Sequence, residues 1–189
     1  MVIKIAALQP DIQIQWQLTC ARFAEWINED VFRARWWFML FLFIIISYIW
    51  WKLVDRSRLT ENILYTAIII IIILVLDEIG EELSLWYYTT DLIPLFPPIT
   101  AIDISCIPMV YSLIYQRFRT WRSFIIATIV MSTIFCFICE PAFVWIGVYK
   151  MLLWKSYYGL PIYAFMGIAA KLIINIIYSV VSYELKRAQ

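Results

Sequence analysis

The sequence WWFMLFLFIIISYIWW, residues 36–51, decides the fold class. Two Trp pairs bracket an uninterrupted apolar run, and the helical rise from Trp37 to Trp50 covers ~20 Å. Tryptophan collects at both faces of a bilayer, and an apolar helix of about this length crosses its hydrocarbon core. The stretch therefore predicts a transmembrane helix, which we place at 36–53.

The composition of the whole chain agrees with this prediction. Hydrophobic residues make up 64% and charged residues 15% of the 189 residues, whereas a soluble domain has roughly 45–50% and about 25%. A water-soluble fold of this size could not bury so much apolar surface. We therefore expect an all-α fold, a polytopic bundle of about five transmembrane helices, with the lipid bilayer as its surroundings.

Four further apolar runs predict the remaining transmembrane helices. We place these at 63–82, 99–116, 124–148 and 162–183. Glu140-Pro141 interrupts the third of these runs, and we expect a kink there because proline removes a backbone hydrogen bond. The predicted domains are an N-terminal helix over 1–35, the transmembrane bundle over 36–185 and a tail over 186–189.

The N-terminal region has a composition closer to that of a soluble protein and an amphipathic pattern. Its apolar residues recur at steps of three or four: Ile12, Trp16, Cys20, Phe23, Ile27 and Val31. This spacing predicts one amphipathic helix. We expect it to lie along the membrane interface or against the bundle, and recognition of a partner protein is the alternative.

Basic residues predict the orientation. They collect in the loops 52–62 and 117–122 and at the C-terminus, whereas the connector 77–98 contains none. Because cytoplasmic loops are rich in Lys and Arg, the C-terminus is predicted to be cytoplasmic and the acidic connector to be outside. The 149–161 connector and the N-terminus would then also be outside.

Ionisable residues inside the predicted helices are the candidate site, because charges are costly in a membrane and are kept mainly for function. Counted at the helical rise from the outer connectors, Asp103 lies ~7.5 Å deep, and Glu140 and Lys171 lie ~15 Å deep. We predict a polar cavity in the outer half of the bundle, formed by Asp103, Glu140, Lys171 and Asn175. Its mouth would be formed by Asp77, Glu78, Glu81 and Glu82, and its lid by Trp86, Tyr87, Tyr88 and Pro94.

Several functional classes find no support in the sequence. The chain contains no histidine, which removes the commonest general base and transition-metal ligand. It has no P-loop, GxSxG, HExxH or Gly-rich dinucleotide motif. A net charge of +1 offers no general attraction for nucleic acid. We therefore expect no cofactor, no metal and no nucleic-acid partner.

Scattered residues give the chain a resemblance to a known family. They are Leu92, Pro94, Asp103, Pro108, Tyr111, Tyr115, Gln116, Glu140, Pro141, Trp145, Tyr149, Lys150, Trp154 and Pro161. Over roughly residues 35–185 the pattern resembles a family of small five-span, functionally uncharacterised membrane proteins of spore-forming Gram-positive bacteria. The resemblance implies five helices and a bacterial plasma membrane, and it implies no catalytic residues.

Three functional hypotheses follow. The favoured one is a non-enzymatic membrane protein whose cavity binds or passes a cation, a proton or a small polar solute. The second is an intramembrane hydrolase of a lipid or lipid-linked substrate, in which Asp103 and Glu140 activate water. The third is an accessory or scaffold subunit that binds a membrane-protein partner. Alternatively, the chain forms a homo-oligomer.

Overall fold

The computed structural model describes residues 9–94 and 100–187, and these form an all-α bundle, as predicted. The helices are α1 (Pro10–Glu25), α2 (Ala34–Leu53), α3 (Leu59–Glu82), α4 (Ile107–Arg117), α5 (Trp121–Ile134), α6 (Glu140–Ile146) and α7 (Ser156–Arg187). Three π-helical turns extend them: Trp26–Asp30 after α1, Ile102–Cys106 before α4 and Phe135–Cys139 between α5 and α6. A 3-10 turn, Arg56–Arg58, precedes α3.

Four helical segments in the described chain are long and apolar enough to cross a membrane. They are Ala34–Leu53, Arg56–Glu82, Trp121–Ile146 and Ser156–Glu184. The protein is thus a membrane helical bundle by length and composition. The remaining predicted transmembrane helix, at 99–116, is helical from the turn at Ile102 to Arg117 and is shorter than the other four.

This short helix occupies the centre of the bundle. The π turn and α4 contact α2 and α3, and α4 also contacts α5. Residues along its length are buried, from Ala101 to Tyr115. The ring of Tyr115 stacks on that of Tyr65 in α3, with centroids 4.2 Å apart. Because neighbouring helices surround it, this segment can carry polar residues that a lipid-facing helix could not.

The two predicted outer connectors meet in a small sheet. Strand β1 (Trp86–Tyr88) pairs antiparallel with β2 (Tyr149–Met151), so that Tyr88 lies opposite Tyr149. The carbonyl of Leu85 also accepts hydrogen bonds from three successive backbone N–H groups, those of residues 152–154. We call this end of the bundle the hairpin end.

The N-terminal helix lies at the same end. It buries none of its residues, so its apolar side chains are at least partly exposed. Two indole N–H groups attach this region to the first connector. That of Trp26 donates to the carbonyl of Asp91 at 3.1 Å, and that of Trp36 donates to the carbonyl of Leu92 at 3.3 Å.

The opposite end is closed by Gln116. Its Oε1 accepts from the backbone N–H of Asp55 at 2.8 Å and from the Asn62 side chain at 3.2 Å. Its Nε2 donates to the carbonyl of Leu53 at 2.9 Å. One side chain of α4 therefore joins the end of α2, the loop that follows it and the first turn of α3. We call this end of the bundle, which also carries the 118–120 loop, the loop end.

Candidate functional site

A cavity of about 70 Å³ lies beneath the hairpin. One water molecule needs ~10–15 Å³ of such space, so the cavity can hold a group of several heavy atoms. Its polar lining consists of three carboxylic acids and three tyrosines: Asp77, Asp103, Glu140, Tyr88, Tyr149 and Tyr163. The remaining walls are apolar and aromatic, and the described lining contains no Lys or Arg.

Two of the acids form a pair on facing helices. The Tyr88 hydroxyl bridges them, at 3.0 Å from Oδ1 of Asp103 and 3.3 Å from Oδ1 of Asp77. The Thr100 hydroxyl donates to the other oxygen of Asp103. Because one hydroxyl contacts both, the two carboxyl groups lie close together. Since adjacent carboxylates repel, the pair needs a shared proton or a bound cation.

The third acid lies across the cavity on α6. The Tyr163 hydroxyl donates to Oε1 of Glu140 at 2.9 Å. Gly159 permits the close approach of α7, because a Cβ there would lie 3.2 Å from Oε1 of Glu140. It would also lie 3.1 Å from Sγ of Cys136. A larger residue would press on the carboxyl.

Two acceptor atoms of this site are buried without a hydrogen bond from the described residues: Oδ2 of Asp77 and Oε2 of Glu140. Asp77 is 8% exposed and Glu140 6%. Leaving a buried acceptor unpaired is unfavourable, and for an ionised carboxylate the cost is larger. Both residues line the cavity. A ligand in the cavity that donates hydrogen bonds or carries positive charge would offset this cost.

Local backbone geometry helps to place two of the acids. Asp103 lies within the π turn Ile102–Cys106, and Glu140 directly follows the π turn Phe135–Cys139. A proline stands shortly after each turn, Pro108 and Pro141 respectively. Proline has no N–H to donate to the carbonyl four residues earlier, and π turns in helices are frequent at functional sites. The predicted interruption at Glu140-Pro141 is thus a π turn within a continuous helical segment.

Lys171 and Asn175 are not in this cavity, contrary to the prediction. The Lys171 ammonium donates to the carbonyls of Phe118 and Arg119, at the loop end. The predicted depth was wrong because helix α7 begins at Ser156, and Pro161 lies inside it. Counting from Ser156 adds ~7.5 Å to the depth of Lys171. Lys171 therefore forms no ion pair with Asp103 or Glu140.

The predicted mouth also needs correction. Asp77 lies in the cavity itself, whereas Glu78, Glu81 and Glu82 are absent from its described lining. Glu78 and Glu82 lie on other faces of α3, whereas Glu81 shares the face of Asp77 but lies one turn nearer the end of the helix. Glu81 lines a separate surface pocket beside α1, and Glu82 is exposed.

The predicted lid is split between two sites. Trp86 and Tyr88 line the cavity, as alternate residues of a strand do. Tyr87 and Pro94 instead line the surface pocket beside α1. Burial, strengthened by the nearby acids Asp103 and Asp77, raises the pKa of Tyr88 well above its ordinary value. Its hydroxyl therefore keeps its proton and donates at neutral pH.

The lining residues that were not predicted include Tyr149, Trp154 and Tyr163. Trp154 packs edge-on against Trp86, with ring centroids 4.7 Å apart, and Tyr149 lies opposite Tyr88 in the sheet. Pairing between strands more than 60 residues apart leaves no local periodicity in the sequence. Only the fold brings these aromatic residues to the acids.

The described residues contain no group of three His, Cys, Asp or Glu side chains placed to hold a metal ion. The site consists of the pair Asp77 and Asp103 on one side of an aromatic cavity and Glu140 on the other. Comparison of the chain with protein families, curated proteins and solved structures finds no match. The resemblance to small five-span membrane proteins stays a prediction.

Proposed function

We propose that this membrane protein binds a small organic ammonium ion in the cavity beneath the hairpin. The observation that carries the proposal is the pair of buried, unpaired acceptors, Oδ2 of Asp77 and Oε2 of Glu140, at a cavity whose described lining has no basic residue. An ammonium ion donates hydrogen bonds and carries a positive charge, so it can pair with both acceptors.

The aromatic walls favour an organic cation over an inorganic one. Trp86, Trp154 and Tyr88 line the same space as the acids, and aromatic faces attract ammonium groups that have lost their water. A hard metal ion instead prefers several oxygen ligands at fixed positions. No such set is present in residues 9–94 and 100–187. Alkyl groups on the cation would also contact the apolar lining.

Binding fits the structure better than open passage through the bundle. Towards the loop end, the described core is filled by large buried side chains, which include Tyr65, Ile69, Tyr111 and Met166. The hydroxyl of Tyr65 donates to the carbonyl of Gly167 and that of Tyr111 to the carbonyl of Tyr163. These contacts close the core beneath the cavity.

Hydrolysis by Asp103 and Glu140 has less support. Both oxygens of Asp103 accept hydrogen bonds from protein hydroxyls, those of Tyr88 and Thr100. A general base needs a free acceptor within reach of the water that it activates. The scaffold hypothesis rests on α1, whose apolar residues are exposed, and an interfacial helix in lipid accounts for the same exposure.

For orientation, we propose that the hairpin end faces outward in a bacterial plasma membrane and that the loop end is cytoplasmic. The support is the distribution of basic residues, with Lys52, Arg56 and Arg58 in one loop and three arginines in the 117–122 loop. Positively charged loops are retained in the cytoplasm. The ammonium ion would then enter from outside the cell.

Calorimetric titration of the purified protein in detergent tests the proposed function. Methylammonium and tetramethylammonium are compared with sodium and potassium at constant ionic strength. We expect saturable binding of at least one organic ion. We also expect its affinity to fall by at least about tenfold in Asp77→Asn and in Glu140→Gln, because each removes a charged partner.

The matched control is Glu82→Gln, which removes an exposed acid from the same helix as Asp77. It should leave the affinity unchanged. Equal losses in all three variants would mean that general charge attracts the ion. Binding of sodium or potassium without either organic ion, or binding of none of the four, would contradict the proposal.

A further inference from the structure

A second pocket, of about 210 Å³, lies at the loop end of the bundle. We call it the loop-end pocket. Its lining includes Arg58, Glu61, Arg119, Trp121 and Lys171. It lies at the opposite end of the bundle from the cavity beneath the hairpin, so nothing in the proposed function depends on it.

The pocket is cationic. Three of the lining residues are basic and one is acidic, which leaves a formal charge of +2. The acid is already paired, because Arg58 forms a two-point ion pair with Glu61 through Nε and Nη2. The Tyr115 hydroxyl also donates to Glu61. Neither Arg119 nor Lys171 forms an ion pair in the described chain, although Asp55 and Glu61 lie near enough to Arg119 to interact with its charge.

The pocket also has donors to spare. Nη1 of Arg58 is buried and has no hydrogen-bond partner among the described residues. Lys171 is 4% exposed and donates to the carbonyls of Phe118 at 3.2 Å and Arg119 at 2.9 Å. An ammonium has three donors, so one remains. A buried cation and a buried unpaired donor beside it are both stabilised by an anion.

Aromatic rings hold the lysine in place. Its Nζ lies 4.1 Å from the ring centroid of Phe124 and 5.2 Å from that of Trp121. These contacts orient the ammonium while leaving the charge unneutralised, because a ring carries no net charge. The arrangement matches a preformed oxyanion site, in which Nη1 of Arg58, the Arg119 guanidinium and the Lys171 ammonium could donate to the tetrahedral oxygens of a phosphate.

The position of the pocket indicates where such an anion would come from. It lies where two membrane-length segments begin, Arg56–Glu82 and Trp121–Ile146, and Arg58 and Arg119 line it together. Towards the hairpin end from the pocket, α5 exposes apolar side chains, which include Ile126 and Ile129. A phospholipid could place its phosphate among the basic residues and its acyl chains along this helix. Basic pockets between transmembrane helices bind anionic headgroups in this way.

We propose that the loop-end pocket binds a phosphate group, supplied by an anionic phospholipid of the adjacent leaflet. The lipid source is tested against free phosphate by measuring thermal stability and bound lipid for the purified full-length protein. Phosphatidylglycerol, phosphatidylcholine and inorganic phosphate are each titrated, and lipid retention is read by native mass spectrometry. We expect a saturable rise in melting temperature and selective retention with phosphatidylglycerol.

Arg119→Gln is the test variant, because Arg119 is exposed and its replacement should not prevent folding. We expect its affinity for phosphatidylglycerol to be at least about tenfold weaker. Arg122→Gln is the matched control, since it removes the same charge only three residues away, in the first turn of α5, and is not part of the described lining. It should bind as the wild type does.

The outcomes separate cleanly. A stability rise with inorganic phosphate alone would support the phosphate site and assign it to a soluble anion. Equal retention of phosphatidylglycerol and phosphatidylcholine, with no response to phosphate, would overturn the proposal. Equal loss of affinity in the Arg119 and Arg122 variants would overturn it too, because a diffuse surface charge would then explain the binding.

Discussion

The Tyr88 hydroxyl lies 3.0 Å from Oδ1 of Asp103 and connects the hairpin to the central helix. The hydroxyl oxygen of Tyr88 also lies 3.3 Å from Oδ1 of Asp77, so one side chain contacts both acids. Tyr88 reaches this position because β1 pairs with β2 above the cavity. The roof of the cavity and its acidic wall therefore depend on each other.

Tyr88→Phe should destabilise the protein. The substitution keeps the ring and removes the hydroxyl that donates to the acid pair, so the carboxyl groups lose a buried donor. We expect a loss of about 1–2 kcal/mol in the free energy of unfolding, measured by denaturant titration in detergent. Tyr87→Phe is the control, because Tyr87 lies on the other face of the strand, in the pocket beside α1. Similar losses in both variants would contradict the assigned role.

Gly80→Ala should also destabilise the protein, although alanine favours a helix by ~1 kcal/mol over glycine. A Cβ at residue 80 would lie 2.1 Å from Cζ2 of Trp86, so the indole that lines the cavity would have to move. We expect a net loss of about 1–3 kcal/mol, typical of overpacking. Thermal unfolding of the purified variant measures it.

The double variant Gly80→Ala/Trp86→Ala separates this overlap from other effects. Without the indole, alanine at position 80 has room. Adding Gly80→Ala to Trp86→Ala should therefore cost nothing further. Additive losses from the two substitutions would mean that the indole is not the obstacle.

Asp91 should make stability depend on pH. Burial, together with the nearby acids Glu81 and Asp30, raises its pKa from the ordinary 3.8 to about 7 in the folded protein, and Arg22 opposes this rise. Between these values the folded state binds more protons than the unfolded state. The free energy of unfolding therefore falls as the pH rises from about 4 to about 7.

Asp91→Asn should remove this contribution. We expect the variant to be more stable than the wild type at pH 8, by on the order of 1–3 kcal/mol, and to show a smaller gain at pH 5. Melting temperatures at both pH values measure the difference. Asp11→Asn, at an exposed position of α1, is the control. Parallel pH profiles for wild type and Asp91→Asn would contradict the assignment.

The sequence by itself determined the membrane fold. In lipid, the backbone N–H and C=O groups of an apolar run of membrane length must hydrogen-bond within the protein, and a single segment does so as a helix. The sequence also identified Asp103 and Glu140, since a charge within such a run is conspicuous. Helical counting could not place Lys171, because the start of α7 and the direction of a long side chain depend on neighbouring helices. Counting also gave no reason to separate Asp77 from the acids that follow it.

Only the tertiary structure decided which of these groups share a cavity. Tyr88 and Trp154 come together through a strand pair between distant connectors, and Tyr163 reaches Glu140 because Gly159 lets α7 approach. The loop-end pocket likewise needs α3, α5 and α7 at one place. Periodicity fixes which residues lie within each helix, whereas contacts between helices fix which side chains meet, and the second depends on packing over the whole bundle.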